Sequence, residues 1–304
     1  MDSQSYHIPA LLPEALNALD IKPEGTYVDA TFGGGGHSRA ILGCLGERGR
    51  LLAFDQDIDA KANALPDSRF TFVYANFRHI SNFLRYHGIS HADGILADLG
   101  VSFHHFDDAA RGFSFRADAP LDMRMNQSAP RTAADIIEQY DRQQLIKTLA
   151  AFGDLKRPAP IADAIISARE KGPLQTTGQL LEAVARCVNP RQEKKELAQI
   201  FQALRIEVNG EMDALEQFLK STLAALRPGG RLAIITYHSL EDRMVKNFMK
   251  SGNIGGEVEK DFFGHVKTPW KQITRSPIVP SEAETARNPR SRSAKLRAAE
   301  RVQE

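Results

Sequence analysis

Four consecutive glycines, Gly33-Gly34-Gly35-Gly36, separate a β-rich run ending near Ala30 from an amphipathic stretch that begins near Ser38. In regular structure each glycine costs about 0.5–1 kcal/mol relative to alanine. The run therefore predicts a strand-to-helix turn whose backbone, free of Cβ atoms, approaches a ligand closely. The first N–H groups of the following helix would favour an anionic group there.

Two familiar phosphate sites are excluded. A P-loop needs a Gly-Lys pair, and the chain contains none. The dinucleotide fingerprint Gly-x-Gly-x-x-Gly fails as well, because counting from Gly33 or Gly34 puts Ser38 or Arg39 at its last position. Asp55 closes the second β-rich run about 20 residues beyond the glycines, where a carboxylate accepts hydrogen bonds from ribose hydroxyls. Asp57 and Asp59 suit either that role or the cap of the next helix.

Around this turn the first hundred residues alternate short strands with amphipathic helices, the pattern of a parallel sheet with crossover helices. Strands are predicted at Thr26–Ala30, Arg50–Asp55, Phe70–Ala75 and Gly94–Leu99, and helices at Ser38–Leu45, Ile58–Leu65 and Ile80–Tyr86. A fifth strand, Arg231–Tyr237, follows a helix from about Glu211 to Leu226 and the turn Arg227-Pro-Gly-Gly230. Roughly a hundred residues of helical pattern lie between, too many for a structureless loop. The expected architecture is α/β: a discontinuous sheet domain over 1–114 and 201–304, with a mainly helical subdomain inserted over 115–200.

Composition sets further bounds. Lys and Arg total 39 against 38 for Asp and Glu. From Lys246 onward 12 basic residues face 7 acidic ones, a net of +5, which leaves −4 on the first 245 residues. A polyanion contact is thus expected toward the C-terminal end, through Arg290, Arg292, Lys295 and Arg297. The two cysteines, Cys44 and Cys187, form no metal-binding or CxxC array and read as buried free thiols of a reducing compartment. No run of 18 apolar residues occurs, so a cytoplasmic protein off the membrane is expected. The oligomeric state stays open, a dimer included.

A glycine loop without the pyrophosphate fingerprint, followed by an acidic second-strand end, resembles the S-adenosylmethionine-dependent methyltransferases of the Rossmann-like class. Longer strings narrow the likeness: YHIPALLPEAL from Tyr6, VDATFGGGGHS from Val28, DGILADLGVS from Asp93, RGFSF from Arg111, PLDMRMN from Pro120, FQALRIEVN from Phe201, PGGRLAIITYHSLEDRMVK from Pro228 and NPRSRSAKLR from Asn288. Together they resemble, end to end, the MraW-like family of bacterial 16S ribosomal RNA (cytidine-N4) methyltransferases. The resemblance implies methyl transfer from S-adenosylmethionine to the exocyclic amine of a cytidine in the decoding region of 16S rRNA, within the small subunit or its precursor. It implies cofactor contacts at Gly35, Gly36, His37, Asp55, Phe77 and Asp98. Where the family often reads Ser-Ser-Pro-Gln-Leu-Asp, this chain has Ser102-Phe-His-His-Phe-Asp107, so the glutamine contact falls on His105.

The chemistry points to the same residues. A sulfonium is already activated, so positioning dominates, whereas the conjugated cytosine amine needs an acceptor to orient it and take its proton. Asp98, at the end of the fourth strand, suits that role or holds the methionine ammonium. His238 and Tyr237, after the fifth strand, are candidates for the base pocket, with His238 a candidate catalytic group; the same segment also reads as a helix start. Arg111 and Arg124 would meet phosphates, while Phe113 and Phe115 suit either bases or the core. Neither cysteine follows a sheet strand, which argues against covalent C5 chemistry. Methyl transfer requires no Lewis acid, so no metal is assigned to His104, His105, Asp107 or Asp108. Two rivals remain: an amine methyltransferase of the same fold acting on DNA or protein, and an RNA-binding assembly factor without turnover.

Overall fold

The computed structural model describes residues 8–100 and 108–302. The chain divides into two compact units, one formed by Met1–Gly100 with Asp213–Glu304, the other by Val101–Met212. No helix among the described residues is long and apolar enough to cross a membrane.

The first unit is built on a seven-stranded sheet: β1 (Thr26–Asp29), β2 (Arg50–Asp55), β3 (Phe70–Tyr74), β4 (Ala92–Asp98), β5 (Leu226–Thr236), β6 (Trp270–Gln272) and β7 (Lys295–Arg301), in the order β3-β2-β1-β4-β5-β7-β6. The first five run parallel, β7 is antiparallel to β5, and β6 is antiparallel to β7. Such a sheet must be covered on both faces. On one face α1 (Leu12–Leu19) and α2 (Gly36–Cys44) bury Ala15, Leu19, Ile41 and Leu42 against Tyr27, Leu96, Ile235 and Leu296. On the other, Phe54 meets Phe83 of α3 (Ile80–Tyr86) edge-on at 5.8 Å between ring centroids. Every interior residue of β2 and β4 except Asp93 is buried, which is why these strands read as continuous apolar runs rather than alternating ones.

The second unit carries α4 (Ala133–Gln139), α5 (Arg142–Gly153), α6 (Pro158–Arg169), α7 (Thr177–Val184) and α8 (Glu193–Asn209) around a core including Ile136, Leu149, Ile165, Leu180 and Leu204. Three of these helices begin with capping boxes, Thr132 with Asp135, Asp141 with Gln144 and Thr176 with Gln179, each meeting otherwise unpaired N–H groups of the first turn. Helix α9 (Glu211–Ala225) then leads back to β5.

Three expectations change. The stretch from Ile58 forms a 3-10 helix, Ile58–Asn63, held at its start by the Asp57 carboxylate accepting from the Asp59 N–H. Cys44 is exposed and Cys187 half-buried, so the thiols are not core groups. The basic C-terminal stretch, expected to meet a polyanion, is built partly into the sheet. It forms the 3-10 turn Pro289–Ser293 and then β7, between β5 and β6.

Arg297, expected on RNA phosphates, is only 6% exposed and grips Asp242 of α10 (Ser239–Ser251) through two bonds of 2.6 and 3.2 Å. Lys295 also lies 3.6 Å from the Asp242 carboxylate. Although burial opposes it, the hydrogen bonds from Arg297 hold the Asp242 carboxyl below the usual carboxylate range. Removing one partner of a buried pair strands the other, at a cost of about 3–5 kcal/mol. Asp242→Ala is therefore expected to lower the unfolding free energy at pH 7 by about 3 kcal/mol in denaturant titrations. Because the folded pKa is depressed, the pair's contribution is present above the unfolded value of 3.8 and drains as pH falls below it, so wild type and variant should converge in acid.

Candidate active site

The carboxyl ends of β1, β2 and β4 lie side by side, and the glycine loop rises between them. At its base Asp29 is 1% exposed; its two oxygens accept from the Thr31 N–H (3.1 Å) and the Ser38 hydroxyl (2.7 Å). The Thr31 hydroxyl in turn accepts from the Asp98 N–H at 2.6 Å, tying the ends of β1 and β4 together. Gly33 and Gly35 have φ of +50° and +72°, where a Cβ is strained. A Cβ on Gly35 would also stand 2.9 Å from the Phe32 ring, and one on Gly36 2.9 Å from Pro9. Nothing lies within 4 Å of the Cβ direction at Gly33, so there the loop opens outward.

Asp55, expected to hold ribose, also shapes this loop. One oxygen accepts from the Gly33 N–H and the other from the Asp57 N–H, both at 2.8 Å. Asn63 adds a bond of 3.1 Å to the Gly33 carbonyl, and Arg39 donates to that of Gly34. Phe77, just beyond β3, is half-buried, one ring side resting edge-on against Phe218 at 5.1 Å.

Asp98 closes β4. Its Oδ1 is buried and has no hydrogen-bond partner among the described residues, while Oδ2 lies 3.8 Å from His37 Nδ1. Burial raises the Asp98 carboxyl above its ordinary range, against the opposing pull of His37 and the Tyr237 hydroxyl. The Tyr237 phenol is in turn pushed far up by burial and the Asp98 charge. Its ring packs on the backbone after β4, where a Cβ on Gly100 would meet it at 2.7 Å.

His37 turns inward. The ring is 5% exposed, with Nε2 3.1 Å from the Ala10 carbonyl. His238, expected at the base pocket, instead caps α10. Its Nδ1 accepts from the Glu241 N–H at 3.4 Å, and Glu241 Oε2 accepts from the Tyr237 and His238 N–H groups at 3.0 and 3.3 Å. His238 Nε2 lies 3.0 Å from Glu241 Oε1 but off the line of a hydrogen bond. The Nδ1 atom thus serves the cap, a place more often taken by serine.

Arg111 and Arg124, expected on phosphates, serve their own loop. Arg111 is 6% exposed and donates to the carbonyls of Arg124 (2.9 Å) and Met125 (3.0 Å). Arg124 pairs with both oxygens of Asp122 and with the Ala129 carbonyl. This segment has few ladder bonds of its own, so its carbonyls need side-chain donors. Phe113 is buried, and Phe115 packs on Phe201. Arg290 and Arg292 are exposed on the 3-10 turn, and Lys295 is half-buried. His105 lies outside the described residues.

Buried Asp29 and partly buried Asp98 place two carboxyls beside the glycine loop, and Asp98 Oδ1 is a buried oxygen with no partner among the described residues. A buried acid of this kind calls for a cation or a hydrogen-bond donor. S-adenosylmethionine, which carries a sulfonium charge, would meet that demand. Sheet order, loop and acids together define an S-adenosylmethionine-dependent methyltransferase of the Rossmann-like class. The chain belongs to the MraW methylase family, whose model matches residues 4–302.

A ribosomal RNA small subunit methyltransferase H from Bacteroides thetaiotaomicron is 57% identical over 99% of both chains. The protein of the same name from Flavobacterium johnsoniae is 52% identical, again over 99% of both. Among solved structures, an rRNA methylase from Streptococcus thermophilus is similar at 12% identity and a TM-score of 0.44, covering 98% of this chain and 99% of that one.

Proposed function

We propose that this protein methylates the exocyclic N4 amine of a cytidine in the decoding region of 16S rRNA, using S-adenosylmethionine, in the cytoplasm. The names of its full-length relatives support ribosomal RNA of the small subunit as the substrate class. The observation that carries the amine chemistry is the unpartnered Asp98 Oδ1 at the end of β4.

Gly35, Gly36, Asp55 and Phe77 would hold the donor, which when bound supplies a methyl group on a good leaving group. Asp98 does the work of the acceptor. Asp98 Oδ1 would orient the substrate amine and take one of its protons as that nitrogen accepts the methyl group. Thr31 holds the Asp98 backbone in place, and the Tyr237 ring walls the pocket beside it. An internal cytidine must leave its stack to arrive there, at a cost of a few kcal/mol.

The helical unit and the Arg290–Arg292 turn are proposed to hold flanking RNA. Each phosphate contact steepens the dependence of log K on log salt by about 0.7–0.9. Arg290→Glu with Arg292→Glu should therefore weaken RNA binding and flatten that slope by about 1.4 to 1.8. An unchanged slope would make the turn a bystander. Mass spectrometry of 30S particles, naked rRNA, duplex DNA and protein, after incubation with labelled donor, tests the reading as a whole. N4-methylcytidine in 16S rRNA is the expected product; label on DNA or protein would redirect the assignment, and donor binding without any labelled product would leave an assembly factor.

A further inference from the structure

The Asp98 side chain is held by one oxygen only. Its carboxylate accepts from the Tyr237 hydroxyl and the Gly100 N–H, and because Oδ1 has no partner among the described residues, both bonds fall on Oδ2. His37 Nδ1, 3.8 Å from Oδ2, stands beyond hydrogen-bond reach. The phenol is therefore the side-chain donor that fixes how this carboxyl is turned.

Tyr237 is itself clamped. Its N–H rests on Glu241 Oε2 at 3.0 Å, and the Leu99 N–H bonds the Ile235 carbonyl at 2.9 Å, which ties the ends of β4 and β5 together. A Cβ on Gly100 would meet Tyr237 Cε2 at 2.7 Å and Cζ at 3.1 Å, so the backbone after β4 lies directly on the edge of the ring that carries the hydroxyl. The terminal torsion of an aspartate is broad and roughly two-fold. Without a donor fixed on one oxygen, either could face the ligand.

We propose that Tyr237 is a positioning residue: its hydroxyl holds Asp98 Oδ2, so that Oδ1 alone is presented to the substrate amine. The inference rests on the reading of Asp98 as the proton acceptor. A phenol suits this place because it stays a donor. Burial and the Asp98 charge push its own ionisation far up, so it does not become a second acceptor for the amine proton. Its bond also favours the ionised form of Asp98, against the burial that raises this carboxyl. The other ionisable groups around the pair are His37 from α2, Asp29 from β1, and Glu241 and Glu284 toward the phenol. Only His37 among them is basic, and it acts on Asp98 through space.

Tyr237→Phe removes the hydroxyl and keeps the ring against Gly100. Loss of a bond to the ionised form should raise the titration midpoint of Asp98 by about one pH unit, tenfold in proton affinity. The ¹³Cγ shift of Asp98 in the free protein reads this without donor or RNA. In single turnover at saturating donor and rRNA, the acid limb of the rate profile should move to higher pH by the same amount, leaving the variant about tenfold slower on that limb. Donor affinity at alkaline pH should not change. A ring-fluorinated tyrosine at position 237, a stronger donor of similar size, should move the midpoint and the limb the opposite way, and it decides the matter if the phenylalanine variant does not fold.

An Asp98 midpoint and acid limb that stay fixed in both variants make the hydroxyl a structural group only and overturn the proposal, while N4-methylcytidine formed by the wild type keeps the methyltransferase reading. A rate that falls equally at every pH overturns it as well. If the wild type methylates no rRNA, the acceptor reading of Asp98 fails and this proposal with it.

Discussion

Replacing Asp98 by asparagine is expected to slow methyl transfer at saturating donor by about 10²–10⁴-fold, the usual worth of a positioned proton acceptor, with the fold intact. The substitution keeps the size of the side chain, and the backbone N–H that bonds Thr31 is untouched. What disappears is the anionic oxygen that lacks a partner. Single-turnover rates at saturating donor separate the two roles open to this residue. If Asp98 chiefly holds the donor's ammonium, the dissociation constant rises while the saturated rate survives, and that result would remove it as proton acceptor.

The same variant carries a stability signature. Because burial raises the folded Asp98 carboxyl above its unfolded value, the native state loses stability as pH rises through the folded pKa. The asparagine escapes this loss. Asp98→Asn should therefore melt at or above the wild-type temperature at pH 8, with the gap closing toward pH 4. A variant less stable than wild type at pH 8 would mean that pairing with His37 outweighs the burial of the charge.

Asp55→Ala is expected to weaken donor binding by about 10²-fold, close to 3 kcal/mol. Two losses combine. The ligand's hydroxyls lose an ionised acceptor, and charge-assisted hydrogen bonds contribute about 1.5–3 kcal/mol. The loop also loses its clamp, since the Gly33 and Asp57 N–H groups both rest on this carboxylate. Asp55→Asn keeps one acceptor oxygen and should lose less. RNA affinity measured without donor should not change, and an unaltered donor dissociation constant in the alanine variant would end the assignment of Asp55 to the cofactor.

Much of the fold is legible along the chain because its determinants lie within a few residues of one another. The strand, four glycines and helix from Thr26 to Cys44 need only local φ preferences and apolar spacing. The capping boxes at Thr132, Asp141 and Thr176 are likewise set over three residues. The Asp55 carboxylate, singled out by its distance from the glycines, lies against the Gly33 N–H. Site residues whose role depends on who sits opposite are harder to read. Serine is the commoner cap residue, yet the histidine before Ser239 takes the cap, paired with Glu241.

What the amino-acid order determined alone is a parallel sheet broken by a helical insertion, with a glycine turn and an acid at neighbouring strand ends. What the tertiary structure decided is where the charges go. Arg297 finds Asp242 across 55 residues, Arg111 and Arg124 serve the carbonyls of their own loop, and the His37 ring lies against the Ala10 carbonyl and Asp98. Periodicity records which face a residue occupies, and that is a short-range property. A buried charge must be neutralised by whichever group the folded chain delivers to it, and that partner is chosen by strand order and packing.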